Sequence, residues 1–138
     1  MDIVQAVRDA GVVGAGGAGF PTHVKLGVEV DYVLANGAEC EPLLHKDAEL
    51  TEAHVGQVIR GMQLSMEATS APNAIFGIKE KRKKTIAALE REVSGTGIKI
   101  QGFGDYYPAG DEYVLVYECT GRLIPPGGIP LQVGTVVH

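Results

Sequence analysis

The chain has 138 residues, 45% of them apolar and 21% charged, which describes one soluble globular domain long enough to bury a core. A net charge of −5 with a pI near 5.3 argues against a general nucleic-acid binder. No apolar run approaches the roughly 20 residues of a membrane span, and the N-terminus lacks the basic and apolar regions of a signal peptide, so secretion is not expected. The two cysteines, Cys40 and Cys119, lie far apart; a disulfide scaffold or a four-cysteine cluster is excluded within this segment, and each thiol reads as a small apolar residue of the interior.

Ile3 to Ala10 spaces its apolar residues as a helix does, and Gly11 is the expected stop. Gly14-Ala15-Gly16-Gly17-Ala18-Gly19-Phe20-Pro21-Thr22-His23-Val24-Lys25 follows. Four glycines in six positions allow positive φ and a backbone that lies against a ligand with no Cβ in the way. Pro21 suits the first turn of a helix running to about Leu26. Amides exposed beside the positive end of that helix, with Lys25 one turn along, predict a site for a phosphate or for the electron-rich edge of a ring. Gly14, Gly16 and Gly19 also spell G-x-G-x-x-G, but a helix and not a strand precedes them, so a standard Rossmann reading fails on context. As a bare motif the loop is compatible with cofactor binding or with a tight structural turn.

Val30 to Ala35 is a strand, running into Asn36-Gly37-Ala38-Glu39-Cys40-Glu41-Pro42, where Asn-Gly and Pro end regular structure. Ligands collect beyond the carboxyl ends of strands in open α/β sheets, so Glu39 and Glu41 read either as a solvated loop or as acceptors for ribose hydroxyls or amide donors. His45, Asp47, Glu49, Glu52 and His54 look like metal ligands, yet no thiolate joins them, and a charged helix start is the expected reading. The longest helix is predicted from Thr51 to about Ala68, with Val55, Val58, Ile59, Met62 and Met66 on one face and the methionines as core filler. Ala74 to Ile78 suits a strand buried on both faces. Lys79 to Lys84 opens the next helix, its charges forming a solvated face; Ile98 to Phe103 is an edge-like strand. A second glycine- and acid-bearing loop, 104–112, leads to a helix from about Asp111 to Cys119, stopped by Gly121. After an irregular Pro/Gly stretch, Leu131 begins a last strand that reaches His138, where the chain stops in mid-element. Strands alternating with helices predict a mostly parallel sheet flanked by helices, with loops 36–42 and 106–112 on one edge and the glycine loop covering it.

Three stretches resemble one family: Gly14–Lys25 (GAGGAGFPTHVK), Asn36–Pro42 (NGAECEP) followed by Lys46-Asp47, and Tyr107–Glu112 (YPAGDE), with Gly134–His138 (GTVVH) as the start of a fourth. The family is the flavin- and NADH-binding 51 kDa subunit of respiratory NADH dehydrogenase, and more closely the C subunit of Rnf-type electron transport complexes and relatives that include cobalamin reductase and electron carriers for D-proline reductase. The resemblance covers nearly the whole chain. It implies a non-standard Rossmann-like FMN-binding domain over 1–138, a piece of a longer chain that also carries β-grasp and iron–sulfur regions.

By that resemblance Gly14, Gly16, Gly17, Gly19 and Lys25 hold FMN, and Asn36 bonds the flavin with Glu39 nearby. Tyr107, Gly110, Asp111 and Glu112 border it, Phe20 stacks on the adenine of NADH, and Glu41 lies near the nicotinamide, making Glu41 and Glu112 the acids closest to the chemistry. The implied activity is an NADH dehydrogenase or Rnf-type oxidoreductase, with iron–sulfur clusters only outside this segment and NADH and further subunits as partners. The implied location is the cytoplasm, peripheral on a membrane through a complex. The respiratory subunit has arginine where this chain has Ala15, aspartate at Ala38 and a second adenine-stacking phenylalanine at Val28. Those departures suit an alternative, a non-catalytic docking module that retains the fold. A phosphate-handling enzyme is a further alternative, but no G-K-[ST] follows the loop.

Overall fold

The computed structural model describes residues 1–14, 18–39, 41 and 43–138. Gly16 and Gly17, expected as cofactor ligands, lie outside the described residues together with Ala15, Cys40 and Pro42.

Helix α1 (Ile3–Asp9) begins at Asp2, whose carboxylate accepts from Gln5 N at 3.1 Å and so satisfies one of the amides a helix start leaves open. Gly11 then turns the chain at φ 65°, as its position after the helix predicts. Helix α2 (Thr22–Leu26) has only five residues, and Pro21 stands one position ahead of it in an extended conformation. This corrects the expected source of positive potential: one turn and a half carries almost no macrodipole, so the full charge of Lys25 supplies what the helix end does not.

Four parallel strands, β1 (Tyr32–Gly37), β2 (Asn73–Lys79), β3 (Ile98–Phe103) and β4 (Thr135–Val137), form a sheet in the order β3-β2-β1-β4. The mostly parallel α/β sheet flanked by helices is as the alternation of elements predicts. Neighbouring residues such as Val33 and Leu34, or Val136 and Val137, are both buried because both sheet faces are covered. One face carries Val33, Phe76, Ile78, Ile98 and Val136 under Ile59 and Met62 of helix α4 (Val55–Thr69) and Leu89 of helix α5 (Lys83–Val93). The other carries Leu34, Phe103 and Val137 under Leu115 and Val116 of helix α6 (Glu112–Thr120). α6 presses on β2 so closely that a Cβ at Gly77 would lie 2.6 Å from the Phe103 ring and 2.8 Å from Leu115.

Several boundaries differ from the sequence reading, β1 among them, which pairs on through Asn36 and Gly37 where Asn-Gly was expected to end it. The predicted helix at Thr51 starts earlier, as α3 (Lys46–Ala53), and breaks from α4 at His54, where φ is −133°. α3 buries only Ala48 and Thr51, so it has no apolar stripe by which the sequence could announce it. Lys79 is the buried last residue of β2 and not part of the next helix, which begins at Lys83. Pro130–Val133 form a 3₁₀ turn closed by Gly134 at φ 68°, leaving only three residues to pair as β4.

Candidate functional site

From β1 the chain steps outward to β2 and β3, then returns to the far side of β1 as β4. The carboxyl ends of β1 and β4 are therefore the switch point of the sheet, where two connections diverge and leave a crevice. Backbone bonds hold its rim: Asn36 N donates to His138 O at 2.6 Å and His138 N to Leu34 O at 2.9 Å. Beside it the two ends of the glycine stretch run together, with Val13 bridging Pro21, Gly14 N donating to Phe20 O at 3.1 Å and Thr22 N to Val12 O at 3.1 Å.

Lys25 crosses this crevice. Its Nζ donates to Val137 O at 2.7 Å and sits 5.5 Å above the Phe20 ring. Burial pulls its pKa below the ordinary lysine value, an effect that the Glu112 carboxylate partly offsets. His138 is exposed over its surface as a whole, yet it also lines the crevice; desolvation and then the Lys25 charge push its pKa down to about 4, so the ring is neutral at pH 7. Asn36 joins two of the predicted motifs: its Nδ2 donates to Gly110 O at 2.8 Å while its Oδ1 accepts from Ala38 N at 3.2 Å.

The crevice encloses about 590 Å³. Val33, Val58, Met62 and Phe76 give it apolar walls, and Thr22, Lys25, Asn36, Ser65 and Glu112 add polar groups. A smaller cavity of about 300 Å³ shares Lys25 and Glu112 and adds Phe20, Ile129 and Leu131. A third, of about 500 Å³ beyond the ends of β2 and β3, holds Glu39, Glu41 and Tyr107 with Lys79, Lys81 and Arg82.

Of the residues singled out in the sequence, the fold thus brings Gly14, Lys25, Asn36 and Glu112 to one crevice and Phe20 to the cavity beside it. Gly19 turns the loop at φ 71°, and Gly110 contributes its carbonyl to Asn36. Asp111 is occupied otherwise: its carboxylate caps α6, accepting from Tyr113 N at 3.0 Å and Val114 N at 3.3 Å. Glu39, Glu41 and Tyr107 stand in the third cavity and not in the crevice. The acid and histidine run before α4 serves helix contacts: Glu52 accepts from the Thr85 hydroxyl at 2.5 Å, and the Arg82 guanidinium meets His45 Nδ1 at 2.9 Å. Among the described residues no three metal-ligating side chains converge.

Sequence reasoning missed the part α4 takes. Gly61 and Ser65, one turn apart on its crevice side, are small enough to leave room, and Met62 between them is both buried and part of the wall. Their interruption of the apolar stripe was the available signal.

An open parallel sheet with a ligand-sized crevice at its switch point, Gly14 and Lys25 on its lining, defines a nucleotide- or flavin-binding class of α/β domain. A family model described as the Nuo51 FMN-binding domain matches residues 7–138, and the chain belongs to that family. It is 48% identical to cobalamin reductase PduS of Citrobacter freundii over 99% of its own length and 30% of that protein. It is 39% identical to the C subunit of the proton-translocating ferredoxin:NAD(+) oxidoreductase complex of Clostridium ljungdahlii, over 99% and 31% respectively. Among solved structures, an NAD+-reducing [NiFe]-hydrogenase in the air-oxidized state superposes with a TM-score of 0.82 at 30% identity, covering 99% of this chain and 28% of that one. The chain spans about three-tenths of the length of the curated relatives it matches. Those relatives are oxidoreductases, and no helix among the described residues is long and apolar enough to cross a membrane.

Proposed function

We propose that this domain holds FMN in the crevice between β1, β4 and the glycine loop, as part of an electron-transfer subunit that oxidises NADH. The observation that carries the reading is the convergence of Lys25, Asn36 and Glu112, from three separated segments, on one crevice with apolar walls. The volume and the mixed lining suit a flat heteroaromatic ring with a polar edge. Lys25 supplies the cation and Asn36 an amide at the β1 terminus, and the family resemblance adds the glycines of the loop. When bound, FMN supplies the conversion of a two-electron hydride donor into single-electron transfers.

The chain's own residues set the electrostatics. Lys25 is held half-buried beside Glu112, which helps keep the ammonium charged despite desolvation, so a fixed positive charge faces the space where negative charge would accumulate. Val33, Val58 and Met62 exclude water from the same space. Phe20, with Ile129 and Leu131, lines the cavity where a dinucleotide's adenine is expected, and Glu41 is assigned to the nicotinamide side by the family resemblance. Iron–sulfur centres that receive the electrons belong to other parts of the protein or its complex.

The test is titration of the protein with FMN, followed by NADH under anaerobic conditions with flavin absorbance as readout. Saturable binding and bleaching are expected. Binding without bleaching rejects NADH as donor and leaves the flavin site; no binding rejects both. Lys25→Ala and Glu41→Ala variants that transferred electrons normally in the protein carrying this domain would assign it a docking role instead.

A further inference from the structure

Among the described residues five threonines are buried, and they divide into two groups. Three satisfy their hydroxyls within the chain: Thr69 donates to Ser65 O at 2.7 Å, Thr85 to Glu52 Oε1 at 2.5 Å and Thr135 to Val133 O at 3.3 Å. The other two, Thr22 at 8% exposure and Thr51 at 6%, have no hydrogen-bond partner for their hydroxyls among the described residues. These two, and none of the paired three, line the crevice. Ser65, the remaining hydroxyl on its lining, is answered by Gly61 O at 2.9 Å. A buried hydroxyl left unpaired lowers stability, so the fold carries a cost at Thr22 and Thr51 that a group entering the crevice would remove. Room for such a group is kept at a further cost: Gly61 weakens the interior of α4 relative to alanine, yet a Cβ there would meet no described atom within 4 Å.

We propose that Thr22 and Thr51 determine specificity in this crevice by binding the hydroxylated chain that carries the flavin ring, an inference that rests on the flavin reading above. The residue types select that part of the ligand. A hydroxyl both donates and accepts, and another hydroxyl, which does the same, matches it from either side. A phosphate beside Thr51 would instead face the Asp47 carboxylate, which lines the crevice one turn earlier on α3. Lys25 and Asn36 already offer a charge and an amide to the polar edge of the ring. Neutral hydroxyls on two separate elements, α2 and α3, suit a neutral chain of hydroxyls lying between them.

Fluorescence titration of the full chain with FMN, riboflavin and lumiflavin (the ring without the chain) tests this in Thr22→Val and Thr51→Val, together with melting of the unliganded proteins. Each variant should melt at or above the wild-type temperature, because it removes a hydroxyl that the fold leaves unpaired. Thr85→Val, which breaks a bond made within the chain, should melt lower. Each crevice variant should bind FMN and riboflavin roughly 5-fold more weakly, the loss of one hydrogen bond, and lumiflavin as wild type does. Melting more than about 2 °C below wild type would show the hydroxyl paired inside the protein and overturn the inference. So would unchanged FMN affinity, an equal loss for lumiflavin, which moves the contact to the ring, or a loss for FMN alone, which moves it to the phosphate. Wild-type protein that binds none of the three refutes the flavin reading and this inference with it; wild-type binding with indifferent variants refutes this inference alone.

Discussion

Asn36→Asp replaces one amide nitrogen by oxygen and changes nothing else in size. In the native fold Ala38 N needs an acceptor, which fixes Oδ1 on that side and leaves Nδ2 donating to Gly110 O at 2.8 Å. The aspartate keeps the Ala38 bond but sets a carboxylate oxygen against the Gly110 carbonyl. Loss of a partly buried hydrogen bond together with that repulsion should cost about 2–4 kcal/mol. For a domain of this size about 3–4 °C of melting temperature accompanies each kcal/mol, so the variant should melt roughly 6–16 °C lower at pH 7. Asn36→Ala removes both bonds without adding repulsion and should lose less. Below about pH 5 the aspartate takes up a proton and can donate again, so its deficit should shrink relative to alanine. Thermal melts of the three proteins at pH 7 and pH 4.5, with flavin titration alongside, decide the matter. Asn36→Asp melting within about 2 °C of wild type, or above Asn36→Ala, would refute the claim that this side chain ties the second motif to the third.

Lys25→Met should lower flavin affinity by at least about 10-fold while leaving folding stability at pH 7 unchanged or raised, since burial penalises the charge it removes. The folded-state pKa of Lys25 lies below the unfolded value, so the unfolded chain binds more protons between the two and stability from this residue rises with pH there; urea melts from neutral to alkaline pH should show that rise flattened in Lys25→Met. Burial, with a smaller contribution from Glu118, raises the Cys119 thiol from 9.0 to about 11, so in a Cys40→Ser background alkylation at pH 8 should run roughly 100-fold slower than for a thiol of ordinary pKa. Gly77→Ala places a methyl against the Phe103 ring and Leu115 and should cost about 1–3 kcal/mol in denaturant melts; a neutral effect would mean that α6 is free to shift.

The boundaries that could be read from residues were those with local causes. Gly121, at φ 72°, ends α6 where a residue free of Cβ strain was expected to end it, and Asp111 begins that helix through bonds to amides only two and three residues away. α3 was not legible because its buried face consists of Ala48 and Thr51, and its place is set by contacts with α5, such as Glu52 with Thr85, 33 residues away. Lys79 reads as part of a solvated basic run because nothing in its neighbours reveals that the central strand ends on it in the interior.

The same division holds for the site. Gly14 and Lys25 were nameable from residue type, a backbone without Cβ and a cation one turn along, whereas Asn36 and Glu112 were named by the family resemblance. Their meeting is a property of strand order alone. β4 returns to the outer side of β1 and brings Val137 O within 2.7 Å of Lys25, 112 positions away in the chain. That return also leaves Glu39, Glu41 and Tyr107 in a different cavity from the Lys25 crevice, although the first two are only a few residues from Asn36. Residue chemistry is written locally, whereas which groups share a volume depends on the pairing of distant strands, and the pattern of single residues carries no record of it.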